Sequence, residues 1–164
     1  MEKIDKLEWP AIEGYLERLR MQADVDIKRV REIFYLGGNL CSEQLTGIFI
    51  SNYVENDGKQ QFKDLWLFSE NCVIEAINFS KSESPKVEMT IFSHNIYFLA
   101  VETKNYEFSK TATDDSRLHI YFHTRSQFRC DFTAFGQNCD ILKSTFEKYM
   151  KNNLARGETS SLFS

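Results

Sequence analysis

Apolar and polar side chains alternate with a period of two over residues 117–135, after which the period lengthens to that of a helix. Leu118, Ile120, Phe122 and Thr124 alternate with His119, Tyr121 and His123. Beyond Arg125-Ser126-Gln127, Phe128, Cys130, Phe132 and Ala134 alternate with Arg129, Asp131 and Thr133. A three-residue loop at 125–127 sets Thr124 against Phe128, Phe122 against Cys130, Ile120 against Phe132 and Leu118 against Ala134. Every apolar residue then meets another on one face. A two-residue loop pairs His123 with Phe128 and mixes the faces, so the spacing predicts the longer loop. Gly136-Gln137-Asn138 leads into Leu142, Phe146, Tyr149 and Met150, whose spacing predicts a helix over 138–154.

The rest of the chain divides by the same criterion. Residues 10–36 read as helical, with Pro10 suited to a first turn and Ile12, Tyr15, Leu16, Leu19 and Ala23 on one face. Asp24 or Asp26 is expected to cap a second helix carrying Ile27, Val30, Ile33 and Phe34, and Gly37-Gly38-Asn39 to stop it. From about residue 45 alternation takes over. Seven strands are predicted, at 46–54, 61–69, 72–79, 86–93, 95–103, 117–124 and 127–135. Turns are predicted at Asn56-Asp57-Gly58, Glu70-Asn71 and His94-Asn95, and a loop at 80–85 containing Pro85. Residues 111–116 are polar and expected to be mobile.

A turn at Glu70-Asn71 puts Leu65 and Leu67 on one face with Cys72, Ile74 and Ala76, and Trp66, Phe68, Val73 and Ile77 on the other. Both faces are apolar, so neither should meet water. The N-terminal helices are the economical cover, and a partner surface or dimer contact is the sharper reading.

Composition narrows the function classes. A chain of 164 residues, 42% apolar, is long enough to bury a core without disulfides. Its 14 Phe residues suit a sheet core. The net charge of −4 argues against nucleic-acid binding, for which the nearest basic groups are Lys28-Arg29 with Arg31, and Arg125 with Arg129. No signal-peptide core and no 18-residue apolar run is present, so a cytoplasmic protein without a transmembrane segment is expected. Cys41, Cys72, Cys130 and Cys139 lack metal-ligand spacing, and Cys130 and Cys72 read as reduced core thiols.

The order of seven strands followed by one helix over residues 45–154 resembles the pleckstrin-homology (PH) superfold, including its bacterial and GRAM-like relatives. Leu45-Thr46-Gly47-Ile48-Phe49-Ile50 resembles the first strand, residues 64–74 the second hairpin, and residues 117–154 the final hairpin and capping helix. The resemblance implies an α+β protein: a seven-stranded antiparallel PH-like barrel or sandwich capped by the C-terminal helix. Residues 1–44 form a helical extension outside it, and residues 155–164 a flexible tail. The chain departs from the family in offering Phe146 and Tyr149 where many members carry a helical Trp. It also departs in its first inter-strand loop, where Lys59 stands alone beside Glu55 and Asp57. Phosphoinositide recognition needs convergent cations, so it is not expected here.

No phosphate loop, nucleophile elbow or zinc-protease pattern occurs, and no catalytic, cofactor or metal residues are assigned. His119 and His123, four apart on a strand, stand about 13 Å from each other and cannot share a metal. Cys139 lies near a helix start, where the macrodipole lowers a thiol pKa, but no base neighbours it, and Asn138 or Asp140 reads as the N-cap. The expected function is non-catalytic protein–protein interaction, with a protein partner or self-association. Its candidate contacts are the outward aromatics Trp66 and Phe68 and the patch of His119, Tyr121, His123 and Arg129. The alternatives are a β-barrel holding an apolar small molecule or lipid and, last, an enzyme on the same scaffold.

Overall fold

The computed structural model describes residues 6–21, 24–80, 86–91, 96–124 and 129–151. Helices α1 (Trp9–Arg18) and α2 (Asp24–Leu40) precede strands β1 (Gly47–Val54), β2 (Gln60–Phe68), β3 (Cys72–Ile77) and β4 (Lys86–Ile91). Strands β5 (Ile96–Lys104), β6 (Arg117–Thr124) and β7 (Arg129–Phe135) follow, and then α3 (Asn138–Thr145), whose last turn widens to a π-helix over Phe146–Met150. All seven predicted strands form, within a few residues of their expected ends. Hydrogen bonding divides them into two antiparallel sheets, β1-β2-β3-β4 and β5-β6-β7, rather than one closed ladder. The chain separates into two compact units between Ile91 and Phe92.

In the first unit, β2 pairs with β3 as Leu65–Ala76, Trp66–Glu75, Leu67–Ile74 and Phe68–Val73, which are the faces the pattern predicts. The turn is the expected one. Ser69 N–H donates to the Cys72 carbonyl at 2.8 Å, leaving Glu70 and Asn71 as its corner. Glu43 holds that corner from outside, accepting from Ser69 Oγ at 2.8 Å and from the Asn71 backbone and side chain at 3.0 and 2.9 Å. The Asn71 and Ser69 hydrogen bonds keep its carboxyl below the usual range.

Helix α2 does not stop at Gly37-Gly38-Asn39; it runs through them to Leu40. The reason is packing. Gly37 is buried against the sheet, and a Cβ there would stand 2.6 Å from Leu67 Cδ1 and 3.4 Å from Ile74 Cδ1. The glycine is a point of close helix–sheet approach, so α2 covers the Leu65–Leu67 face. Asp26 lies inside the first turn of this helix and is not its cap. Tyr15 of α1 reaches β1, where its hydroxyl accepts the Ile50 N–H at 3.0 Å.

The opposite face of the same sheet is buried too. Trp66 is 1% exposed and Phe68 is not exposed at all, with Phe49 and Val73 equally interior. Their expected outward position is corrected by this burial: they are core residues and supply no docking surface.

In the second unit, β6 and β7 pair as Phe122–Cys130, Ile120–Phe132 and Leu118–Ala134, the register predicted from the pattern. All six residues are buried, and the Phe122 and Phe132 rings stack at 6.0 Å. Helix α3 lies against β7 and β6, with Leu142, Phe146, Tyr149 and Met150 buried as its spacing predicts. Its N-cap is Gln137, without a side-chain cap bond, rather than Asn138 or Asp140. Asp140 instead accepts from the Ala112 N–H at 3.1 Å and the Tyr106 hydroxyl at 3.2 Å. Lys143 Nζ donates to the Phe108 carbonyl. Ser116 adds bonds to Asn105 and Thr113. The loop expected to be mobile at 111–116 is thereby pinned to α3 and to its own neighbours.

Expectations for Ala23, Pro85, His94-Asn95, the turn at 125–127 with Phe128, and the tail lie outside the described residues.

The two adjacent glycines of α2 give a matched test. Nothing lies within 4 Å of a Cβ at Gly38, so Gly38→Ala should stabilise the protein by ~0.5–1 kcal/mol through helix propensity. Gly37→Val should instead cost ~1–3 kcal/mol, because Leu67 must move to admit it. Urea denaturation of both variants reads the contrast, and equal effects would refute the close-packing role of Gly37.

Candidate functional site

The outward face of β5–β6–β7 is built by register. Three cross-strand rows stand on it: Glu102, His119 and Thr133; Ala100, Tyr121 and Asp131; Phe98, His123 and Arg129. An extra residue in β5 between Ile96 and Phe98 creates this face. Without that bulge, Ile96 and Phe98, two apart, would point the same way. With it, Ile96 opposes Thr124 and is buried, whereas Phe98 opposes His123 and is 45% exposed.

The side chains form one connected cluster. The Arg129 guanidinium lies 4.7 Å from the Tyr121 ring centroid and pairs with Asp131 Oδ2 at 3.0 Å. Asp131 Oδ1 meets Nε2 of His119, and Nδ1 of the same ring faces Glu102 Oε2 at 3.3 Å. Both nitrogens of His119 can donate to these carboxylates only when the ring is protonated. Aromatic contacts continue outward: His119 to Tyr121 at 5.0 Å, Phe98 to Tyr121 at 6.0 Å, and Phe98 edge-on to His123 at 5.5 Å.

His119, Tyr121, His123 and Arg129, expected together from the alternation alone, do share this surface. Trp66 and Phe68 are not part of it. Phe98 and Glu102 were missed as contributors, and the polar-side alternation Phe98, Ala100, Glu102 is the signal that marks them. That signal is legible only once the bulge gives β5 its phase.

Burial acts to raise the Asp131 pKa, but hydrogen bonds and charge from His119 and Arg129 outweigh it and hold the carboxyl below its ordinary value. His119 thus stands between two carboxylates, with Asp131 shared between it and Arg129. Among the described residues, no group of three or more His, Cys, Asp or Glu side chains is arranged to hold a metal ion. No helix among them is long and apolar enough to cross a membrane.

The thiols are structural. Cys139 is fully buried, its Sγ donating to the Ala134 carbonyl at 3.5 Å. Burial pushes its pKa up to about 12, and the nearby Asp140 charge adds to the rise, so the helix start does not activate it. Burial likewise drives Cys72 to about 12, reinforced by Cys41.

Two measurements check these electrostatics. Because the folded pKa of Asp131 is depressed, its stabilisation is complete above the unfolded value near 3.8 and is lost as pH falls through the lower folded value. Asp131→Asn should therefore cost ~0.5 kcal/mol at pH 7, a small figure because the pair is solvent-screened, with the difference vanishing in acid. A difference independent of pH would contradict the network. For the thiols, native alkylation at pH 8 followed by mass spectrometry should modify Cys72 and Cys139 at least ~100-fold more slowly than in urea. Rapid native labelling of Cys139 would restore a reactive thiol.

Comparison with protein-family models, curated proteins and solved structures finds no match to this chain.

Proposed function

We propose that this chain is a non-catalytic protein–protein interaction module of PH-like fold, binding its partner through the outward face of β5–β6–β7. The fold reading is supported by element order, since seven antiparallel strands are followed by a helix lying on the last two. The interaction reading is carried by one observation: Phe98 and Arg129, 45% and 51% exposed, flank Tyr121 on the sheet. Aromatic and arginine side chains dominate binding energy at protein interfaces, because they bury large area at low entropic cost. Here the Tyr121 ring and the Asp131 carboxylate already hold the guanidinium in place, which reduces the ordering cost of binding.

The test is affinity capture from the source cells under cross-linking, comparing wild type with Phe98→Ser/Tyr121→Ser/Arg129→Ser. Loss of two or more contact residues of this kind should lower partner recovery by ~30-fold or more. The melting temperature of the triple variant serves as the folding control. Equal recovery by a folded triple variant would remove this face as the interaction site.

A further inference from the structure

A second surface lies in the first unit. Helices α1 and α2 bound a groove of about 460 Å³ whose floor includes Trp9 and Ile27. Ile27 is 38% exposed, and Trp9 on the same floor is half-buried. The walls carry opposite charge. Glu13 and Glu17, one helical turn apart, line the α1 side, and Lys28 and Arg31 line the α2 side. No ion pair among the described residues joins the two walls. Arg31 is nonetheless fixed in position, its guanidinium 5.4 Å from the Trp9 ring centroid and 5.8 Å from that of Tyr35.

We propose that this groove is the contact for a second copy of the chain, in a twofold dimer whose axis runs along the groove. The argument is charge complementarity. Rotation about that axis lays the acidic α1 wall of one copy over the basic α2 wall of the other, and the reverse contact follows by symmetry. Two apolar floors then close on each other, burying Ile27 and the edge of Trp9. A twofold axis across the groove would instead oppose like charges, so the arrangement of the walls selects one geometry. A foreign partner would have to carry this alternation of acidic wall, apolar floor and basic wall; a second copy has it by construction. The occupant is therefore the chain itself.

Sedimentation velocity over a range of concentrations measures the association, using wild type, Glu13→Lys/Glu17→Lys and Lys28→Glu/Arg31→Glu. The wild type should dimerise, and each double variant alone should weaken dimerisation at least tenfold, because all four walls then carry one sign. Mixed in equal amounts, the two variants should recover a heterodimer of near wild-type affinity. Circular dichroism reports whether each variant is folded. Should either fail to fold, Glu13→Gln/Glu17→Gln and the salt dependence of the wild-type dimer replace it, with weaker association expected from both. A wild type that stays monomeric at all concentrations overturns the proposal. So does a dimer indifferent to the charge swaps, or one that the mixed variants do not recover. These outcomes are read independently of Phe98, Tyr121 and Arg129, so they leave the proposed partner face untouched.

Discussion

Cross-strand register governs what the second unit buries and what it presents. A strand turns its side chains alternately to two faces, so sliding β7 by one residue against β6 would carry Phe132 and Cys130 into water and bring Arg129 and Asp131 inside. Burying those charges without partners would cost several kcal/mol, and exposing a phenylalanine about 1.5–3 kcal/mol more. The register is thus held from both sides. The ion-pair and aromatic cluster is a consequence of the same constraint, because His119, Tyr121, His123 and Arg129 are the residues left over once the apolar set is inside.

The bulge in β5 extends that constraint to a third strand. One additional residue lets Ile96 remain in the core while Phe98 turns outward to meet Tyr121 and His123. Helix α3 supports the arrangement from the other face of β6 and β7. It also ties the β5–β6 connection through Asp140 and Lys143, so the strand that carries Phe98 and Glu102 is anchored at its far end.

In the first unit the decisive contact is the approach of Gly37 to Leu67 and Ile74. A helix that sits this close buries one apolar face of β2 and β3 without needing a partner protein. Two of the exposed surfaces among the described residues are of different kinds. One is a flat sheet face rich in aromatic and paired ionic groups, and the other is a groove between helices with walls of opposite sign.

Much of this was legible from residues alone. The seven strands, the faces of the β2–β3 and β6–β7 hairpins, the C-terminal helix and four residues of the candidate site follow from alternation and turn chemistry, which are local properties of the chain. Trp66 and Phe68 were misplaced because a two-sided apolar strand announces only that both faces are covered, not what covers them. Gly37-Gly38 looked like a helix stop because glycine is a helix breaker in isolation, and the neighbouring sheet that makes it favourable is remote in sequence. The loop at 111–116 looked mobile for the same reason, since its ties to Asp140 span about thirty residues. The sequence by itself determined where chain direction and period change, because steric and hydrophobic patterning act over a few residues. Only the tertiary structure decided which apolar face is interior, where a bulge shifts the phase and which charges face one another, because those depend on contacts between segments distant along the chain.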